Sequence, residues 1–164
     1  MLGDITFRDQ NNATGTKGTL PFQVLAGVSA TLINSGEPVG YALGQQYALN
    51  LATAKPVVGT DYLCGIAASL STQTPTLDGS VQVAAVNEND VLLIAPKVPA
   101  TYLASQATYN ALVGARVTLD LTAGVWTINS TDGSTNGCVI RDLDITKYPG
   151  KVAFSFRNGT SYLS

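Results

Sequence analysis

From Leu20 onward, apolar residues come in runs of about five to eight, each ended by glycine, proline, asparagine or aspartate. Runs of that length suit β-strands and are too brief for the apolar stripe of a packed helix. The spacing predicts strands over 20–25, 28–33, 38–43, 46–51, 61–69, 79–86 and 90–95, with turns at Asn34-Ser35-Gly36, Asp78-Gly79 and Asn87-Glu88-Asn89-Asp90. Pro38, Pro56, Pro75, Pro96 and Pro99 fall at the edges of these runs, where a missing N–H costs a sheet least.

The last third alternates most clearly. Val117, Leu119 and Leu121 point one way and Arg116, Thr118 and Asp120 the other. Thr122-Ala123-Gly124 then turns the chain into a second alternating run around Trp126 and Ile128, which predicts a half-buried antiparallel hairpin with Trp126 in the core. A strand is expected over 138–145, with Val139, Leu143 and Ile145 on one face and Asp142 and Asp144 on the other. Pro149-Gly150 has the order of a type II turn, and Val152, Phe154 and Phe156 alternate after it. One short helix fits: Ser105 as N-cap, 106–113 as the body with Ala107, Ala111 and Leu112 inward, and Gly114 past its end. The expected fold is therefore all-β: an antiparallel sandwich or barrel with one short helix.

Residues 1–18 have a different character. Ile5 and Phe7 alternate with Thr6 and Arg8, and a polar stretch follows from Asp9 to Gly18. The expected division is an extended N-terminal arm, 1–18, and a β domain, 19–164, with Ile5, Thr6, Phe7 and Arg8 as the contact to a neighbouring subunit or partner through strand addition.

Composition narrows the chemistry. Charged residues are 12% of the 164, about half the usual ~25%, and Thr, Ser, Asn, Gln and 16 Gly take their place. The nine Lys and Arg are scattered, Lys147 and Lys151 being the tightest grouping, so nucleic acid is not an expected partner, and neither is a membrane. The uncharged stretch 18–36 is too polar for a spanning helix, and the start Met-Leu-Gly-Asp lacks the pattern of a secretion signal, so synthesis in a cytoplasm is expected. With no histidine, Ser-His-Asp and Cys-His machinery is excluded. No cofactor or metal is expected. Asp132 to Gly137 resembles a calcium loop but lacks its closing glutamate, and Cys64 and Cys138 read as buried free thiols. Asp142 and Asp144, two apart on the expected strand, are the one carboxylate pair that a hydrolase could use. An exposed strand face is the simpler reading, and no enzyme activity is expected.

The stretch Thr108-Tyr-Asn-Ala-Leu-Val-Gly-Ala-Arg-Val117, the hairpin after it, and Leu143-Asp-Ile-Thr-Lys-Tyr-Pro-Gly-Lys-Val152 resemble the capsid decoration (cement) proteins of tailed phages, over roughly the last 60 residues. The resemblance implies a virion protein that binds the major capsid protein on the outer capsid surface and stabilises the head, with a homotrimer at local three-fold positions. The alternative is a receptor- or glycan-binding module of a phage head or tail fibre, with Tyr41, Tyr47, Tyr62, Tyr102 and Tyr109 lining a sugar site.

Overall fold

A computed structural model describes residues 5–8, 18–26, 32–42, 49–50, 61–86, 90–129 and 137–156. Eleven strands are described: β1 (Thr6–Phe7), β2 (Thr19–Val24), β3 (Pro38–Ala42), β4 (Leu49–Asn50), β5 (Asp61–Ala67), β6 (Gly79–Ala85), β7 (Leu92–Ile94), β8 (Arg116–Thr122), β9 (Val125–Asn129), β10 (Cys138–Ile140) and β11 (Val152–Phe156). Two short helices, α1 (Pro99–Leu103) and α2 (Gln106–Asn110), lie between β7 and β8. The all-β expectation holds. The strand expected over 28–33 lies outside the described residues up to Thr31, and the rest of it is irregular.

The strands form two antiparallel sheets, in the orders β1-β7-β11-β10-β8-β9 and β2-β6-β5-β3-β4. The first curls into a half-barrel. Its β9 rim reaches back to the segment just after β7, where Pro96 bridges to Ile128: Ile128 N donates to Ala95 O (3.1 Å) and Lys97 N to Ile128 O (2.8 Å). Its core holds Trp126, Phe154, Phe156, Leu92, Ile94 and Tyr109. Phe154 and Phe156 meet edge to face at 5.5 Å, an arrangement worth about 0.5–1.5 kcal/mol beyond area burial. The second sheet packs a smaller core of Val24, Ile33, Val39, Ala67, Val81 and Val83. Ile66 of β5 and Val86 just after β6 reach into the half-barrel core and join the two sheets.

Local chemistry explains several joints. The β8–β9 hairpin closes through Ala123 (φ 52°) and Gly124 (φ 78°), both left-handed, as a type I′ turn requires. β5 bulges at Cys64, since Val39 pairs with Gly65 but Gly40 pairs with Leu63. Gly65 is glycine because a Cβ there would lie 2.0 Å from Ala84 O. The expected turn at Pro149-Gly150 is present, with Lys151 N donating to Tyr148 O (3.2 Å).

Three expectations need correction. The helix is one of two, and its inward side chain is Tyr109, with Leu112 packed beside it, whereas Ala107 and Ala111 are exposed. The hairpin is not half-buried: Thr118 and Asp120 are buried along with Val117 and Leu119, and only Arg116 of that alternate set is exposed. The strand over 138–145 stops at Ile140, and its buried residues are Cys138 and Ile140, with Val139 half-buried.

Candidate interaction surface

Residues 5–8 run along one edge of the half-barrel. Thr6 pairs with Leu93 and Phe7 with Leu92, and Arg8 N donates to Val91 O (2.8 Å). Ile5 is 3% exposed and belongs to the main core. Residues 5–8, the start of the expected arm, are thus packed against the half-barrel. Residues 9–17 lie outside the described residues.

Arg8 brings this edge to the second sequence candidate. Its Nη1 donates to the main-chain oxygen of Asp142 (3.0 Å). Asp142 and Asp144 do not share a strand face, because the chain leaves the ladder after Arg141, whose N–H donates to Ala153 O (2.9 Å). Asp144 then folds the chain on itself: its Oδ1 accepts from Thr146 Oγ1 (2.6 Å), Thr146 N (2.9 Å) and Lys147 N (3.3 Å). A short side chain with an acceptor competes in this way with sheet bonding, which ends the strand early. The Thr146 hydroxyl and amide hold the Asp144 carboxyl below its ordinary pKa, with Lys147 assisting. Asp144 is thereby a turn former, and the two carboxylates do not stand on one strand face.

Helix α2 fixes this loop from beneath. Ser105 caps it, accepting from Thr108 N (3.1 Å). Gln106 donates to Leu143 O (2.8 Å) and accepts from Ile145 N (3.0 Å). The Tyr109 hydroxyl enters where β10 and β11 separate: it accepts from Ala153 N (2.9 Å) and donates to Arg141 O (2.9 Å), replacing one rung of the ladder. Burial raises its pKa, against the opposing pull of the Ala153 hydrogen bond. Arg141 Nε in turn donates to the buried Ser155 Oγ (2.6 Å).

A second polar cluster sits on the outer face of the hairpin. Lys97 pairs with Asp120, which is 8% exposed, and Asn129 Nδ2 donates to the same carboxylate oxygen (3.3 Å). This triad ties the Pro96 crossing to β8 and β9, and sequence alternation alone did not signal it.

The edge of β2 is closed to strand addition at its middle. Gln82, the partner of Pro21, directs both main-chain groups toward β5, accepting from Ala68 N (2.7 Å) and donating to Ser69 Oγ (3.1 Å). Pro21 therefore turns its nitrogen outward, where it has no hydrogen to offer. Exposed apolar side chains stand nearby on the same sheet and its loops: Leu20, Leu32, Leu70 and Leu77, the last 66% exposed.

Among the described residues no three His, Cys, Asp or Glu side chains gather to hold a metal, and the loop at Asp132 lies outside them. Cys138 is a buried free thiol whose pKa burial pushes up; the Cys64 side chain lies outside the described set. Of the five tyrosines considered for sugar stacking, Tyr102 and Tyr109 are buried, and the Tyr41, Tyr47 and Tyr62 side chains lie outside the described set. No described helix is long and apolar enough to cross a membrane. No protein-family model matches the sequence, no curated protein matches it, and no solved structure matches the chain.

Proposed function

We propose that this chain is a non-catalytic structural protein that binds the outer surface of a tailed-phage capsid through the major capsid protein, acts as a homotrimer, and stabilises the head. The observation that carries this reading is where the charges go. Glu37 holds Asn34 N (3.0 Å), and Asp78 holds Ala26 N (2.8 Å) and Gln23 Nε2 (3.1 Å). Asp144 forms its own turn, Asp120 pairs with Lys97, and Arg8 and Arg141 bind main chain and Ser155. General acid–base or nucleophilic chemistry needs such groups turned toward a substrate. Here these groups brace the protein's own loops, and the described exterior around them carries many hydroxyls and the exposed leucines Leu20, Leu32, Leu70 and Leu77, with Arg116, Asp142 and Lys147 exposed singly, a surface suited to adhesion.

The test is copy number. Purified virions of the parent phage should hold this protein at a ratio to the major capsid protein near one, and recombinant protein should co-sediment with mature heads stripped of it. A few copies per particle would point instead to a fibre or tail component. The glycan-binding alternative has lost two of its five proposed stacking residues to the core.

A further inference from the structure

We propose that the 5–8 strand is exchanged between copies, so that each half-barrel is completed by Ile5 to Arg8 of a neighbouring chain when the protein is concentrated on its assembly. The occupant of this edge is a second copy of the same segment. The topology permits exchange without disturbing any other strand. β1 is the outermost strand of the half-barrel, and the next described strand, β2, is the outermost strand of the other sheet. The described strands on either side of residues 9–17 thus both sit at sheet edges.

The docking elements are local and self-contained. They are a ladder at Thr6 and Phe7, the Ile5 side chain in the core, the Ile5 amide on Gly36 O (3.4 Å), the Arg8 amide on Val91 O, and the Arg8 guanidinium on Asp142 O. A strand from another chain makes the same contacts, so exchange costs no contact energy. The connection, residues 9–17, spans up to about 30 Å when extended. A segment tethered by so short a linker competes with free copies at an effective concentration of about millimolar. In dilute solution the strand therefore closes on its own chain; on a crowded lattice a neighbour competes.

This inference concerns the chain alone and stands apart from the capsid reading, since a fibre module could exchange the strand equally well. The test is a disulfide trap, Thr6→Cys with Leu93→Cys, because these two residues are directly opposite. Oxidation after refolding at about 1 µM should give almost only intrachain product, and refolding at about 1 mM should give covalent oligomers in roughly equal amount to it. Intrachain product alone at both concentrations overturns the proposal. Because Leu93 is buried and its replacement could unfold the chain, a second variant uses the exposed position alone. Thr6→benzoylphenylalanine on a tagged chain, refolded at about 1 mM with an untagged chain and irradiated, should crosslink to the untagged partner. Crosslinks confined to the tagged chain itself overturn the proposal equally.

Discussion

Tyr109 does two jobs with one side chain. Its ring fills the half-barrel core, and its hydroxyl stands in for a missing rung between Arg141 and Ala153. Tyr109→Phe keeps the ring and leaves the buried Ala153 N–H without an acceptor, which costs about 1–3 kcal/mol. At about 2–4 °C per kcal/mol for a chain of this size, the melting temperature should fall by about 2–12 °C in calorimetry. An unchanged melting temperature would mean that the hydroxyl carries no load. Asp144 allows a pH test. Its folded-state pKa is depressed by Thr146 and Lys147, so its contribution is present above the unfolded value and is lost as pH falls through the folded one. Asp144→Ala should therefore lower the melting temperature at neutral pH, with the gap to the parent closing below about pH 4. A gap that persists at lower pH would assign the loss to something other than the carboxylate.

At the level of elements, the β8–β9 hairpin was readable from two alternating runs, a turn signal at Thr122-Ala123-Gly124 that the structure narrows to Ala123-Gly124, and one tryptophan on the inward face. The capped start of α2 was equally plain, since Ser105 bonds the N–H three residues on. What failed were places where a neighbour decides the outcome. Thr118 and Asp120 look solvent-facing by alternation, yet both are buried, and Asp120 pairs with the exposed Lys97, which arrives from 23 residues upstream. The strand after Cys138 stops early because Asp144 offers a closer partner than the ladder does. The residues of the candidate surface, Ile5 to Arg8, were recognisable by type, but their docking against β7 and Asp142 depends on contacts over 80 residues away. The hairpin turn also carries a correctable strain. Ala123 is held at φ 52°, which costs a residue bearing a Cβ about 1–2 kcal/mol. Ala123→Gly should raise the denaturation midpoint by the equivalent of about 0.5–1 kcal/mol, and a decrease would show that the turn gains more from its side chain than it loses in backbone strain.

Across the whole molecule, two sheets share one joint. Ile5 and Ile66 enter the same core from a half-barrel edge strand and from the second sheet. Ile5→Ala should cost about 2–4 kcal/mol in urea unfolding, and no loss would mean that the strand is not seated in solution. The same view of the molecule predicts how it adheres. Glu37, Asp78, Lys97, Asp120, Arg141 and Asp144 hold internal loops, and Lys147 stands 5.4 Å over the Tyr148 ring. The rest of the described surface is main-chain edges, hydroxyls and scattered leucines, with Arg116, Asp142 and Lys147 exposed singly among them. Contacts of that kind gain little from Coulomb attraction, so salt has little to screen. Binding to mature heads, measured by co-sedimentation, should change by less than about threefold between roughly 50 mM and 500 mM sodium chloride, a range over which the screening length falls by about a factor of three. A drop of tenfold or more would place ion pairs at the centre of the contact. The basic turn at Lys147 and Lys151 would then replace the neutral faces as the adhesive surface.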